Sequence, residues 1–517
     1  MASVKDDSND EAISLAEQEL VARRWSILWR SIILSAMGKT LFPYCQFIRV
    51  LDMRDFNHLL DDDRFKGRIR DQFFSGDLKR FHLEVVPKLP PRVKPNDWRR
   101  RPRLDNPAIT HAVGELLTEK TPIVDTITGP IAPSSLRRWI PRLPRLQSLE
   151  LYDGTGLDAE IAELLRAYCP KFNACSIFQS DISKDEGLSA FFSGLKEQSL
   201  KSFITFSMNG FGLQCCLAIS RHSSALTELR LNMLPAVIPH LGLLKGLTAL
   251  ETLALSDDRK TVDLEAEQND VFLELIEWLK SCKNLRTLRL GLYNCGAAVA
   301  TPVLVQDDIR LRHLEVLDYA TRDHRSFHLS LSNQRQLEHL ILDSDVIESF
   351  DEIQALLASL CQLRQLRVLR LIGVSSLFGE DDIKVLSDNL QMLEEFYTAG
   401  LFLDDTALES VSQLRNLKVM TFLGTTRFTF QGLFEFAKLL REPGHQNFLL
   451  AVDNADPDAS LSEEEQAYMR AAFAEQCGGK LEYTLVRGED LILCICVMEW
   501  RIGAQVLTAD RSQCFRI

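Results

Sequence analysis

The stretch Leu285-Arg286-Thr287-Leu288-Arg289-Leu290 reads L-x-x-L-x-L, and close copies of it recur along most of the chain. Strand alternation puts Leu288 and Leu290 on one side and Thr287 and Arg289 on the other. One such strand cannot cover its own leucines, so every copy needs a neighbour. Upstream copies are Leu146-x-x-Leu149-x-Leu151, Phe172-x-x-Cys175-x-Ile177, Leu200-x-x-Phe203, Leu226-x-x-Leu229-x-Leu231 and Leu250-x-x-Leu253-x-Leu255. Downstream come Leu314-x-x-Leu317-x-Tyr319, Leu337-x-x-Leu340-x-Leu342, Leu366-x-x-Leu369-x-Leu371, Leu393-x-x-Phe396-x-Thr398 and Leu417-x-x-Met420-x-Phe422. Near the N-terminus the pattern reads Ile48-x-x-Leu51-x-Met53 and Leu78-x-x-Phe81-x-Leu83. Weaker copies lie near Phe448–Val452 and Leu481–Leu485, and Thr121–Ile131 is a degenerate copy whose register stays open.

A second position supports the frame. Three residues before the first leucine stands a buried-type side chain: Leu143, Leu247, Leu311, Leu363, Leu390 or Leu414, and in other copies Cys45, Cys169 or Cys282. Cysteine serves there as a small hydrophobe. The connectors are amphipathic: Ile161, Leu164, Leu165 and Tyr168 fall at helical spacing, as do Phe272, Leu275, Ile276 and Leu279, and Ile353, Leu356, Leu357 and Leu360. Strand, turn, helix and turn therefore repeat. The predicted fold class is α/β: a solenoid with parallel strands on a concave face, helices on the convex face and a helical N-terminal cap.

The expected order is a disordered segment 1–12, a helical cap 13–43 and the first repeats at 44–86. A Pro/Arg-rich insertion loop 87–107 follows, then the solenoid 108–455 and a C-terminal repeat and cap 456–517. A helix is expected from Ile13 to Leu34, with Trp25 and Trp29 on one face beside Leu28. In the insertion, Trp98-Arg99-Arg100-Arg101-Pro102-Arg103 reads as a solvated loop, with a localisation signal or an acidic-partner contact as the alternative. Ser462-Glu463-Glu464-Glu465 is a capping box opening a helix to about Cys477, which Gly478-Gly479 stops. Leu491–Met498 reads as a buried strand within the cap.

The net charge of −13 and the pI near 5.4 argue against nucleic acid and anionic membranes, because phosphate binding needs Lys/Arg neutralisation. Met1–Ala16 is acidic and polar, with no secretory apolar core, so a cytoplasmic or nuclear protein that is not secreted is expected. The twelve cysteines then read as reduced thiols; Cys215-Cys216 and Cys494-Ile495-Cys496 have no second pair at zinc spacing.

The repeats resemble the leucine-rich repeats of the ribonuclease-inhibitor-like class, above all the cysteine-containing type of F-box proteins. Tyr168-Cys169-Pro170-Lys171-Phe172 and Ser281-Cys282-Lys283-Asn284-Leu285 carry the likeness. The family's Asn or Cys ladder position holds Gly154, Leu234, Asp258, Tyr293 and Val374 instead. Leu20-Val21-Ala22-Arg23-Arg24-Trp25-Ser26-Ile27-Leu28-Trp29 is similar to the second half of an F-box. With Gly38–Phe42 and Ile48–Asp52 it resembles the fungal F-box and leucine-rich-repeat proteins. A first half with a Leu-Pro-x-Glu opening has no counterpart in Met1–Ala16, so a truncated or diverged member is expected. The resemblance implies a substrate-recognition subunit of an SCF-type cullin-RING ubiquitin ligase, acting in protein ubiquitination. Leu20, Trp25, Leu28 and Trp29 would then contact the ligase adaptor. The plain alternative is that the tryptophans only cap the first repeat, in a repeat scaffold with no ligase link.

No HExxH, GxxxxGK[ST] or GxSxG occurs, so no catalytic, cofactor-binding or metal-binding residue is assigned and the chain is expected not to be an enzyme. Recognition of a protein target is left. The residues between the leucines would face it: Glu150, Glu228, Arg230, Arg289, Asp318, His339, Arg370, Glu395 and Tyr397. Arg and Tyr are common interface anchors, and charges of both signs confer specificity.

Overall fold

Buried and half-exposed side chains alternate strictly along Thr287–Gly291, with Leu288 and Leu290 fully buried. This is the inward–outward pattern that the repeat demands. The computed structural model describes residues 15–86, 102–179, 185–207, 210–235, 237–257, 262–319, 324–344, 347, 349–440 and 445–485. The expected disordered start, most of the basic insertion and the Leu491–Met498 strand lie outside them. The chain divides into two compact units, Met1–Asn232 and Met233–Ile517.

In the first unit the strands are β1 (Val50–Asp52), β2 (Glu84–Val85), β3 (Arg103–Leu104), β4 (Thr126–Gly129), β5 (Ser148–Asp153), β6 (Ala174–Gln179), β7 (Ser202–Thr205) and β8 (Glu228–Asn232). They form a parallel sheet in the order β1-β4-β5-β6-β7-β8, with β2 and β3 as a separate antiparallel pair. Leu51, Ile127, Leu149, Cys175, Phe203 and Leu229 stack as one buried column through this sheet. The second unit holds β9 (Thr252–Ser256), β10 (Thr287–Gly291), β11 (His313–Tyr319), β12 (His339–Ser344), β13 (Val368–Ile372), β14 (Glu395–Thr398), β15 (Leu401–Leu403), β16 (Val419–Thr426), β17 (Leu449–Ala455) and β18 (Lys480–Leu485). All its pairings are parallel, in the order β9-β10-β11-β12-β13-β14-β16-β17-β18, with β15 beside β16. Its column runs Leu253, Leu288, Leu314, Leu340, Leu369, Phe396, Met420 and Leu450, every one fully buried.

Helices of successive repeats pack side by side as the second layer, for example Ala159–Tyr168 on Asp185–Gly194 in the first unit. Strand–turn–helix repetition over parallel sheets is the leucine-rich-repeat solenoid fold. The position ahead of the first leucine has a geometric task. Its carbonyl accepts from the leucine's N–H, as in Leu146 N to Leu143 O at 3.0 Å and Leu285 N to Cys282 O at 3.1 Å. The cysteines there also donate backwards, Cys169 Sγ to Leu143 O at 3.3 Å and Cys282 Sγ to Leu247 O at 3.4 Å. Burial pushes their thiols up to about 12 and about 11, so they tie one repeat to the previous one and are poor nucleophiles. The C-terminal capping box is present, with Ser462 and Glu465 opening the helix Glu463–Cys477 and Gly478 closing it at φ +65°.

Two expected strands are placed differently. Leu78–Leu83 is not in the parallel sheet: Gly76–Phe81 is a short 3-10 turn that buries Leu78 and Phe81. The neighbour of β1 is β4, from the degenerate copy. Between β10 and β12 the frame is Leu311-x-x-Leu314-x-Val316, because Leu314 and Val316 pair across from Leu288 and Leu290 and from Leu340 and Leu342. Leu314-x-x-Leu317-x-Tyr319 is a slip of three residues, made attractive by the valine in the last leucine position. Leu317 stays half-exposed, and Tyr319 is buried beyond a register shift. Leu311 is therefore a first leucine, and its N–H is held by the buried Gln334 side chain at 2.9 Å.

Neighbours on opposite faces should respond oppositely to truncation. Leu340→Ala is expected to cost about 2–5 kcal/mol and Ile341→Ala below about 1 kcal/mol in urea unfolding. Equal costs would contradict the assigned faces.

Candidate protein-binding surfaces

In the second unit, register brings Arg289 opposite Glu315, His313 opposite His339, and Arg370 opposite Tyr397. Arg289 Nε lies 3.3 Å from Glu315 Oε2. His313 Nε2 lies 3.5 Å from the same oxygen, at the limit of a hydrogen bond. The His313 and His339 rings stack at 5.4 Å. Arg370 pairs with Glu395 at 2.9 Å and lies over the Tyr397 ring at 4.4 Å. This is one polar cluster of alternating sign, with Arg289 and Arg370 still more than a third exposed. The His313 imidazole, then the Arg289 and Arg370 guanidiniums, hold the Glu315 carboxyl below its ordinary value although burial acts the other way. Burial, then the stacked His313, pushes His339 down.

Five expected residues, Arg289, His339, Arg370, Glu395 and Tyr397, thus stand together. Asp318 does not occupy the expected position. Glu315 does, because the β11 frame is three residues earlier, and the Asp318 side chain lies outside the described residues. His313 and Glu315 were hidden by the same slip.

Glu150, Glu228 and Arg230 belong to the sheet of the first unit. Glu228 and Arg230 pair with each other at 2.7 Å, and Ser202 donates to Glu228 at 2.7 Å. Glu150 accepts from Thr128 at 3.1 Å and floors a cleft of about 620 Å³. Ser176 and Ile204 continue the floor, Pro130, Tyr152, Phe178 and Phe206 form one rim, and Arg54, Asn57, His58 and Asp61 of the helix Met53–Asp61 form the other. The three rings stack in a row, Tyr152–Phe178 at 4.9 Å and Phe178–Phe206 at 6.4 Å. The sequence carried a signal for this row: an aromatic one residue past the last inward position in three successive copies.

The first helix, Leu15–Ala36, separates its two tryptophans. Trp29 is 5% exposed and its ring lies 4.8 Å from Phe56, so it is core and not a partner contact. Trp25 is 39% exposed, with Val21 and Leu28 exposed on its side of the helix and Leu20 and Ile27 exposed on another. Positions four apart lie 40° off alignment on a helix, and that rotation carries Trp25 out of the buried face of Trp29. Val21, Ala22 and Trp25 line a cleft of about 240 Å³ with Asp55, His58, Leu59 and Asp62. Leu41, Phe42, Tyr44 and Phe47, just after the helix, are also exposed.

Among the described residues no group of three or more His, Cys, Asp or Glu could hold a metal ion, and no helix is long and apolar enough to cross a membrane.

No protein-family model and no curated protein matches the chain. Solved structures do. An internalin (inlF) from Listeria monocytogenes matches at TM-score 0.35 and 12% identity, covering 72% of this chain and 82% of that one. TLR13 in its complex with ssRNA13 matches at 0.39 and 14%, covering 72% of this chain and 51% of that one. A chain of the yeast Rad7–Elc1 complex matches at 0.36 and 13%, covering 68% and 76%.

The Glu315 environment sets a pH dependence. A carboxyl held below its ordinary value of 4.5 contributes stability that is present above that value and is lost as pH falls through the lowered one. Glu315→Gln should therefore be less stable than the parent at pH 7, and the gap should narrow below pH 4.5. Paired urea titrations across that range check it; a pH-independent gap would contradict it.

Proposed function

We propose that the chain is a non-enzymatic, protein-binding leucine-rich-repeat module that acts as a substrate-recognition subunit of a cullin-RING ubiquitin ligase. The observation that carries this reading is the apolar face of the first helix. Val21, Trp25 and Leu28 share one exposed stripe, while Leu20 and Ile27 are exposed on another side of the helix and Leu41, Phe42 and Phe47 follow it. Exposed apolar surface rimmed by polar residues marks a protein contact. The segment is also the one that resembles the second half of an F-box, so the ligase adaptor is the partner it suits. Leu20, Trp25 and Leu28 make that contact; Trp29 supports it from beneath. A protein target then meets the cluster around Arg289, Glu315, Arg370 and Tyr397, where an arginine lying on a tyrosine supplies the anchor and the carboxylates select.

A second reading, a repeat scaffold with no ligase link, is favoured by the burial of Trp29 on Phe56, which is what a cap alone requires. Co-expression with the ligase's small adaptor separates the two. The ligase reading expects a complex that Trp25→Ala plus Leu28→Ala weakens by at least about ten-fold, with little change in thermal stability. Arg289→Ala plus Arg370→Ala should leave adaptor binding intact and weaken capture of the target. Absence of any adaptor complex from the unaltered chain would decide for the scaffold.

A further inference from the structure

The cleft on the sheet of the first unit has its own chemistry. Tyr152, Phe178 and Phe206 are 45%, 45% and 56% exposed, on strand positions that a polar residue would fill at less cost in water. The corresponding positions in the second unit hold Ser256, Gly291, Leu317, Asp343, Ile372, Ala399 and Leu423, none of them aromatic, so exposed rings are not a requirement of the repeat. Beside these rings the cleft carries two carboxylates outside any close ion pair, although Arg54 of the same cleft lies near enough to Glu150 to feel its charge. Glu150 takes one hydrogen bond from Thr128, and Asp61 takes the side-chain amides of Asn57 and Asn106. Among the described residues neither makes an ion pair. Arg54, the cation of the cleft, is already held by Asp52 through a two-pronged contact at 2.7 and 3.1 Å.

We infer that this cleft binds an extended segment of a partner protein that presents an arginine or lysine beside a bulky apolar side chain. The basic stem crosses the rings and its charged head meets Glu150 and Asp61, giving both apolar contact and a charge-assisted hydrogen bond. The 6.4 Å between Phe178 and Phe206 matches the about 6.7 Å between alternate side chains of an extended chain, while Tyr152 and Phe178 stand closer, at 4.9 Å. A segment laid across the strands can therefore place two successive same-side residues on Phe178 and Phe206. Single-stranded nucleic acid would also stack on rings, but its phosphates would meet Glu150 and Asp61 with like charge. The inference rests on the chain being a protein-binding module and does not depend on the ligase link.

The experiment uses the full chain and fluorescent nine-residue peptides of Gly and Ser with a central Arg-Ser-Phe, Lys-Ser-Phe, Glu-Ser-Phe or Ala-Ser-Ala, measured by anisotropy. The Arg and Lys peptides should bind at least about ten-fold more tightly than the Glu and Ala peptides. Glu150→Gln should reduce the preference for Arg over Glu, and Phe178→Ala, at an exposed position, should weaken both basic peptides with unchanged thermal stability. Arg289→Ala plus Arg370→Ala should have no effect, which separates this cleft from the cluster of the second unit. Equal binding of all four peptides, no binding of any, or insensitivity to both cleft variants would overturn the inference. So would a uridine oligonucleotide that binds at these rings in preference to the peptides, or self-association of the chain that Phe178→Ala abolishes.

Discussion

Contact between equivalent inward side chains on adjacent parallel strands is the constraint from which the rest follows. Leu288, Leu314, Leu340 and Leu369 each cover the next, and none of them touches water. No strand can shift along its neighbour without exposing this column, so the buried ladder fixes which side chains stand in the open rows. The turns ahead of β5, β6, β10, β12, β13, β14 and β16 enforce the same register, through the carbonyl bond to the first leucine or phenylalanine, joined by the backward thiol bonds of Cys169 and Cys282. Recognition chemistry is thus inherited from core packing. At β11 the packing chooses Leu311, Leu314 and Val316, and so delivers Glu315, not Asp318, to the side of Arg289.

The two units use the same rows for different chemistry. In the second, charges of both signs answer one another: Arg289 with Glu315, Arg370 with Glu395. Such surface pairs contribute about 0–1 kcal/mol each to stability, so the fold does not depend on them. Arg370 lying on Tyr397 adds an anchor to that pattern. In the first unit the Glu228–Arg230 pair stands beside a row of three exposed rings, with Glu150 and Asp61 lining the same cleft as the rings. The first helix offers a third kind of surface, the exposed stripe of Val21, Trp25 and Leu28.

Periodicity made the strands, the amphipathic connectors and the Ser462 cap legible, because each rests on local spacing. Register within a degenerate copy was not legible: Leu311, Leu314 and Leu317 offer two overlapping frames, and only the neighbouring strands choose between them. Leu78–Leu83 matched the pattern and still folded into a turn, since the turn packs on the first helix, burying Leu78 and Phe81, and His82 stacks on Phe74, without joining the sheet. The tryptophans show the same limit. Their spacing put both on one helix, but the burial of Trp29 and the exposure of Trp25 depend on where Phe56 arrives from a later helix. The aromatic row was written plainly in Tyr152, Phe178 and Phe206, but its meaning needed the facing wall of Asn57, His58 and Asp61, which comes from a distant part of the chain.

The ladder itself is tested most directly by pulsed electron resonance between two spin labels on genetically encoded side chains at positions 289 and 397. Four strand-to-strand steps, through Glu315, Ile341 and Arg370, separate these sites in register. At about 4.8 Å per step the account predicts a narrow distance distribution near about 20 Å. A broad distribution, or a mean beyond about 35 Å, would contradict side-by-side parallel strands and with them every surface assigned on the second unit.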